Sequence, residues 1–290
     1  MLPEERRLRI VEALGARGLV RVDDLVAELD VSAETVRRDL IELERRGDLT
    51  RVYGGATRNG DAPDGVASKR DVANPAAKRA IARLAATLVQ PHQTLIFDVG
   101  TTVTELARAL PIDLAGQALT NSIYTAQELA RRPNLQIHLA GGELRTDDLA
   151  CSGPETEEFI GGFFADIAFL CAGGVHPQAG ITDFYPREIA VRRHMLQRSG
   201  ERYVLADSSK LGRVALRRVC EVAGVTAVIT DDEAPADAIE ALEGRGVRVM
   251  VAGLAEEPPP AEVAPAQLPI PASPLLDLDG PPQAFAFDGT

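Results

Sequence analysis

Five short stretches of this chain gather small, polar and glycine residues just where apolar runs end. Asp98-Val99-Gly100-Thr101-Thr102 closes the run 94–99, and Thr120-Asn121-Ser122 closes 117–120. Gly141-Gly142 and Gly173-Gly174 follow two more runs, and Asp207-Ser208-Ser209-Lys210 follows 202–206. Gly100-Thr101-Thr102 at a helix entrance offers backbone N–H groups and two hydroxyls to an anion. Lys210 adds a point charge, and it is one of only three lysines set against twenty-eight arginines. Asp98 and Asn121 have the acceptors and donors to hold sugar hydroxyls. Asp183 and Glu188 form a candidate carboxylate pair, and Gly142 belongs to the glycine-rich turns. The set Asp98, Gly100, Thr101, Thr102, Asn121, Gly142, Asp183, Glu188 and Lys210 therefore describes a site for a small phosphorylated sugar or polyol. Each signal has a plainer alternative. Gly-Thr-Thr also serves as a simple N-cap, paired glycines as turns, a lone lysine as a solvated side chain, and Glu188 as a first-turn acid after Pro186.

A second stretch, Val31-Ser32-Ala33-Glu34-Thr35-Val36-Arg37-Arg38-Asp39-Leu40, points to a different chemistry. Ser32 is suited to cap a helix, and Glu34 sits in the first turn, where the helix dipole favours an acid. Val36, Leu40 and Leu43 recur at i, i+4 and i+7 and make one apolar stripe. With Val36 at zero and about 100° per residue, Arg38 falls near ~200° and Arg45 near ~180°, away from that stripe. A helix packed on one face with arginines opposite suits a DNA major groove, although adjacent arginines also occur on ordinary exposed faces. The candidate DNA-binding residues are Ser32, Glu34, Thr35, Arg37, Arg38 and, in a following strand, Arg51.

The elements that must position these residues are legible in outline. Helical spacing over 4–16 ends at Gly18, a short helix covers 22–29, and a third runs 33–46 to Gly47. A strand over 48–53 and a Gly54-Gly55 turn follow, so three helices and a small hairpin predict a winged helix-turn-helix over 1–57. Residues 58–75 read as a polar linker. Beyond it, helices over 76–88, 102–110, 123–131, 187–197 and 236–243 alternate with strands over 94–99, 117–120, 135–140, 167–172, 202–206, 227–230 and 247–251. This alternation predicts an α/β domain over 76–254 with a largely parallel sheet. In such sheets ligands bind beyond the carboxyl ends of the strands, where the polar turns fall. From 255 to 290 the composition breaks into an acidic, proline-rich tail, nine prolines falling between Pro258 and Pro282, and disorder is expected there.

Composition narrows the classes. The 290 residues are 45% hydrophobic and 26% charged, which fits a globular chain of about two domains. No apolar run is long enough to span a membrane, and Met1 is followed by charged residues and not by an apolar leader, so a cytoplasmic location without membrane contact is expected. Cys151, Cys171 and Cys220 form no C-x-x-C pair, and with four scattered histidines they predict neither disulfides nor a metal site. No cofactor motif is read, and no residue is assigned a catalytic role. Cys151 reads as a small buried thiol. The net charge is −12, and residues 1–58 hold eleven arginines against twelve acids. DNA binding must then rest on placed arginines and not on bulk attraction.

On these residues the chain resembles the DeoR family of bacterial transcriptional regulators, from about residue 3 to 253. The N-terminal motif is Val31-Ser32…Thr35-Val36-Arg37-Arg38-Asp39-Leu40, then Leu43-Glu44…Gly47 and Arg51-Val52-Tyr53-Gly54-Gly55-Ala56. The C-terminal motifs are Asp98-x-Gly-Thr-Thr, Thr120-Asn121-Ser122, Gly141-Gly142-x-Leu144, Ser152-Gly153-Pro154, Gly180-Ile181-Thr182, Asp207-Ser208-Ser209-Lys210 and Ile229-Thr230-Asp231. The resemblance implies a winged-helix DNA-binding domain joined to a sensor domain similar to ribose-5-phosphate isomerase. In such isomerases a loop like Gly100-Thr101-Thr102 and a lysine like Lys210 hold the phosphate. Two departures stand out. Isomerases of that fold carry aspartates in the turn that here reads Ala172-Gly173-Gly174-Val175, so this site is expected to grip a sugar phosphate without turning it over. Tyr53 stands where the family's wing most often has histidine.

The reading as a whole is a repressor of a sugar or polyol catabolic operon, binding double-stranded operator DNA as a dimer or tetramer and released by a phosphorylated sugar or polyol. The alternative from another class is a sugar-phosphate isomerase fused to a helical domain.

Overall fold

The protein is described by a computed structural model covering residues 1–52, 54–57 and 73–253. Tyr53, most of the expected linker (58–72) and the expected tail (255–290) lie outside the described residues.

The N-terminal elements are α1 (Pro3–Arg17), β1 (Leu19–Arg21), α2 (Val22–Leu29), α3 (Ala33–Arg46), β2 (Thr50–Val52) and β3 (Gly55–Thr57). Their boundaries follow from local chemistry. Pro3 opens α1, where a missing N–H costs nothing, and Gly18 ends it in the left-handed region at φ 73°. Ser32 caps α3 by accepting from the Thr35 N–H, and Gly47 closes it at φ 79°. Ile10, Leu14, Leu25, Val36, Leu40, Leu43 and Leu49 pack as one core. Asp39 is buried and ties α3 to α1, bonding Arg6 and, at 3.1 Å, Arg7.

The wing differs from the expected hairpin. It is a three-stranded sheet in the order β1-β3-β2, and Gly55, expected in the turn, is a strand residue facing both Arg21 and Val52. Strands of three residues carry no readable alternation, so β1 leaves no signal between Gly18 and α2.

The second half holds α4 (Pro75–Ala86), β4 (Thr94–Phe97), α5 (Thr101–Ala109), β5 (Gly116–Thr120), α6 (Ile123–Leu129), β6 (Leu135–Leu139), β7 (Glu143–Arg145), β8 (Ala150–Ser152), α7 (Pro154–Gly161), β9 (Ala165–Cys171), β10 (Gly174–His176), β11 (Gly180–Asp183), α8 (Pro186–Gln197), β12 (Ser199–Leu205), β13 (Arg217–Cys220), β14 (Ala227–Asp231), α9 (Ala236–Glu243) and β15 (Arg248–Ala252). Seven strands form one sheet in the order β15-β14-β12-β9-β4-β5-β6, every neighbouring pair parallel. Both faces are covered, which is why the strands read as continuous apolar runs. Leu95 and Phe97 point into a core with Ile81, Val103, Leu106 and Phe169. Ile96, between them, points into the opposite core with Ile160, Leu170, Ile189 and Met195.

The strand order fixes where a ligand can sit. From β4 the chain first runs outward through β5 and β6, then returns to place β9 on the other side of β4 and continues outward through β12, β14 and β15. The order reverses between β4 and β9, and the crevice beyond their carboxyl ends is the topological switch point of the sheet. Over that end lies a small antiparallel sheet, β10-β11-β13, which the periodicity did not predict, and the β7–β8 hairpin is also new. Among the described residues no helix is long and apolar enough to cross a membrane. The three cysteines are free, and burial pushes the Cys151 thiol up.

Candidate functional site

Two sites emerge, and the first is the solvent face of α3. Ser32 Oγ lies 2.9 Å from Thr35 Oγ1 and accepts from the Thr35 N–H, so these two residues lock the start of the helix. One turn on, Arg37 and Arg38 project with side chains 61% and 78% exposed. Glu34 pairs with both, at 4.0 Å to Arg37 and 3.5 Å to Arg38. Pairs this exposed hold their partners by only ~0–1 kcal/mol, so they yield readily to a stronger anion. Arg51 in the wing is held by Glu44, which accepts from the Arg51 backbone N–H at 2.9 Å and from its Nε at 2.7 Å. Of the six residues predicted for a DNA surface, Ser32 and Thr35 are thus engaged with each other. Arg37 and Arg38 are the exposed cations of α3's first half, and Arg51 lies on the neighbouring strand.

The second site is a cavity at the switch point. Its floor is made by the loops leaving β4 and β9, Val99 to Thr102 on one side and Cys171 to Gly173 on the other. Asp183 and Glu188 line it from β11 and α8, Lys210 from the turn after β12, and Lys78 from α4. Gly100 permits the close approach of the two loops, because a Cβ there would fall 2.2 Å from Cys171 Sγ. With that contact made, Gly100-Thr101-Thr102 opens α5 at the cavity that Lys78 and Lys210 also line, and the first N–H groups of a helix favour an anion.

Beneath the cavity lies a buried ionic cluster. Asp98, 1% exposed, accepts from the Cys171 backbone N–H at 3.0 Å and from Arg192 Nε at 2.5 Å. Arg192 also reaches Asp183 at 2.7 Å and Glu188 at 3.4 Å. Glu188 pairs in turn with Arg145, whose guanidinium bonds Asp148 at 2.7 Å and lies over the Tyr185 ring at 3.9 Å. Burial pushes the Asp98 carboxyl up, more than Arg192 and the backbone N–H groups pull it down. Burial alone would lower Arg192, but Asp183, Asp98 and Glu188 hold it well above its ordinary value. For Glu188, burial outweighs Arg192 and Arg145, and with Asp183 and Asp148 close by its carboxyl is pushed up to about 8.

The cavity brings together Gly100, Thr101, Thr102, Asp183, Glu188 and Lys210 of the predicted set. Asp98 is not among the lining residues and touches the lining through Arg192. Asn121 and Gly142 fall outside the lining. Asn121 is fully buried and its amide donates to the Cys151 carbonyl at 2.8 Å, so it braces β8. Gly142 sits where a Cβ would meet Thr156 Oγ1 at 2.3 Å and the Ser152 carbonyl at 2.8 Å, which makes its role one of close packing.

Lys78, Arg192 and Asn74 also line the cavity and escape the sequence reading. Lys78 is only 5% exposed, and the scarcity of lysine that singles out Lys210 applies to it equally. Arg192 hides among the helical arginines of α8. Asn74 was expected in the linker. It begins α4 in the left-handed region and donates from Nδ2 to Asp207 Oδ1 at 3.1 Å. Asp207 also accepts from the Ser209 N–H at 3.2 Å and so shapes the turn that presents Lys210.

Comparison with known proteins supplies the context for both sites. Residues 6–61 match the DeoR-like helix-turn-helix domain, and residues 73–232 match the DeoR C terminal sensor domain. The HTH-type transcriptional regulator GlpR of Haloferax volcanii is 35% identical over 251 residues, covering 86% of this chain and 98% of the relative. The putative aga operon transcriptional repressor of Escherichia coli O157:H7 is 31% identical over 252 residues, covering 86% and 94%. The glycerol-3-phosphate regulon repressor of Escherichia coli K12 is 30% identical over 249 residues, covering 86% and 99%. Among solved structures, ribose 5-phosphate isomerase A of Methanocaldococcus jannaschii overlies 50% of this chain and 56% of its own, with a TM-score of 0.36 and 16% identity. That likeness is too loose to say anything of activity.

Proposed function

This chain belongs to the DeoR family of DNA-binding transcriptional regulators, and on that premise we propose that it represses a sugar or polyol catabolic operon and is released by a phosphorylated sugar or polyol. The family consists of regulators and not of enzymes, so the isomerase alternative is set aside. The observation that carries the effector reading is that the Gly100–Thr102 turn, Lys78, Lys210, Asp183 and Glu188 all line one cavity at the switch point. A dianionic phosphate is matched by N–H groups, hydroxyls and two ammonium groups. Hydroxyls are matched by carboxylate acceptors. One relative is named as the glycerol-3-phosphate regulon repressor, which supports the class of ligand.

Residues 1–57 form the proposed DNA-binding part, 58–75 the connection and 76–254 the sensor. Arg37 and Arg38 read base edges, Ser32, Glu34 and Thr35 set the start of their helix, and Arg51 contacts phosphate or the minor groove. A dimer or tetramer acting in the cytoplasm presents two such helices to half-sites about one turn apart, ~34 Å. Regulation is linkage: an effector that prefers the DNA-incompetent state lowers DNA affinity by its differential affinity for the two states.

The test is a thermal-shift screen with phosphorylated sugars and polyols, run on the parent and on Lys210→Ala. The reading expects a raised Tm in the parent that Lys210→Ala abolishes. An undiminished shift in Lys210→Ala removes the phosphate assignment.

A further inference from the structure

Asn74 is of a type well suited to cap a helix, and it stands at the start of α4, yet its side chain makes no cap bond there. Ser32 and Ser122, at the starts of α3 and α6, do cap, each accepting from the N–H three residues on. Asn74 differs in its backbone as well. It lies in the left-handed region at φ 49°, where an N-cap is ordinarily extended, and it spends its Nδ2 on Asp207 Oδ1, 133 residues away in the chain. Both ends of that bond belong to turns that carry a cavity lysine. The Lys78 N–H donates to the Asn74 carbonyl at 3.1 Å, and the Lys210 N–H donates to the Asp207 carbonyl at 2.9 Å. Ala73, Asn74 and Asp207 line the same cavity as the two lysines. The chain arriving from the DNA-binding part therefore enters the sensor at this cavity, through the residue that makes the bond.

We propose that Asn74 is a two-position latch that couples the effector cavity to DNA binding. In one position its amide donates to Asp207 and ties the first turn of α4 to the Lys210 turn. In the other its Oδ1 turns to an N–H of that first turn, as Ser32 does on α3, and the tie is gone. Pro75 brings no N–H, so Ala76 and Ala77 supply the donors. Asn74 is exposed, so water competes for its amide and the two positions differ little in free energy. A ligand that bears on both lysine turns then decides between them. An effector phosphate held by Lys78 and Lys210 favours the tied position, and the untied position is the DNA-competent one. The inference rests on the phosphate reading given above and adds that release of DNA runs through Asn74.

Two variants of the full chain separate the latch from a plain helix cap. Asn74→Asp keeps a capping acceptor and loses the donor, and Asn74→Gly accepts the left-handed backbone and loses both. Calorimetry with inorganic phosphate and glycerol 3-phosphate measures ligand binding. Fluorescence anisotropy on a duplex from upstream of this gene, at constant ionic strength, measures DNA binding without glycerol 3-phosphate and at a concentration that saturates each protein. Both variants are expected to bind glycerol 3-phosphate severalfold more weakly and to bind DNA without it at least as tightly as the parent. On saturation the parent's Kd for DNA is expected to rise tenfold or more, and that of each variant less than about threefold. Saturated variants that release DNA as the parent does overturn the latch, as does an Asn74→Asp chain that matches the parent throughout. A variant that binds no glycerol 3-phosphate makes Asn74 a ligand contact and also overturns it. So does a parent that binds glycerol 3-phosphate yet holds DNA unchanged. If the parent binds neither inorganic phosphate nor glycerol 3-phosphate, the phosphate reading itself fails and the latch falls with it.

Discussion

Glu188 gives the residue scale its clearest pH signature. Its ordinary value is 4.5, and burial pushes it up to about 8 in the folded chain. The folded state therefore holds this proton more tightly than the unfolded state does. Its contribution to stability is complete below about pH 4.5 and is lost as pH rises through about 8. Melting curves from pH 5 to 9 are expected to show Tm falling with pH in the parent and a flatter profile in Glu188→Gln. Equal slopes would mean that Glu188 is ionised throughout. On α3, Arg37→Ala or Arg38→Ala is expected to cost operator affinity by ~1–3 kcal/mol, the range for a bidentate arginine–guanine contact, with effector binding unchanged. Filter binding against specific and random duplexes measures it, and retained discrimination in both variants would exclude base reading by this helix. The arginine pair was legible because its two neighbours, Ser32 and Val36, declare the helix and its buried face. Lys78 was not, because one lysine on an alanine-rich helix looks solvated until the fold buries it.

At the scale of elements, caps and ties set what the residues can do. Ser32→Ala removes the acceptor for the Thr35 N–H and should cost about 1 kcal/mol. Asp39→Ala leaves Arg6 and Arg7 without their shared carboxylate between α1 and α3, and a loss of ~3 kcal/mol is expected from breaking a largely buried pair. Urea denaturation of both variants separates the two effects, and a smaller loss for Asp39→Ala than for Ser32→Ala would contradict the tie. Asn74→Ala removes the hydrogen bond between the start of α4 and the Lys210 turn. The expected result is severalfold weaker phosphate binding, read by calorimetry. The parallel strands were readable since each is apolar on both faces, and their polar ends marked the right edge of the sheet. Strand order is another matter. That β9 returns to the far side of β4 depends on tertiary packing, so the crevice between them, and with it Lys78 and Arg192, had no local signal. Asn121 and Gly142 illustrate the converse: they sit at strand-end turns of the expected type, yet on the β5–β6 side, away from the reversal.

For the whole molecule the governing fact is a net charge of −12 on a chain that binds DNA. Bulk repulsion opposes association, so affinity depends on a few arginines held in register, and small changes in how they are presented have large effects. A sensor whose cavity is built from the ends of separate strands suits that demand. On the proposed reading the effector would touch the Gly100–Thr102 turn, the Lys210 turn and Asp183 and Glu188, so its binding energy would depend on how these parts stand to each other. A coupling of ~1–3 kcal/mol, about five- to 150-fold in affinity, is the usual scale of such linkage. The most direct test is fluorescence anisotropy on a duplex from the intergenic region upstream of this gene. It is run with the parent and with Lys210→Ala, each with and without the phosphorylated polyol that most raises the parent's Tm. The expected result is a tenfold or greater rise in the parent's Kd for DNA on adding the ligand, and no rise for Lys210→Ala. A parent whose Kd does not change, or a Lys210→Ala variant that releases DNA as the parent does, would contradict a phosphate-operated repressor.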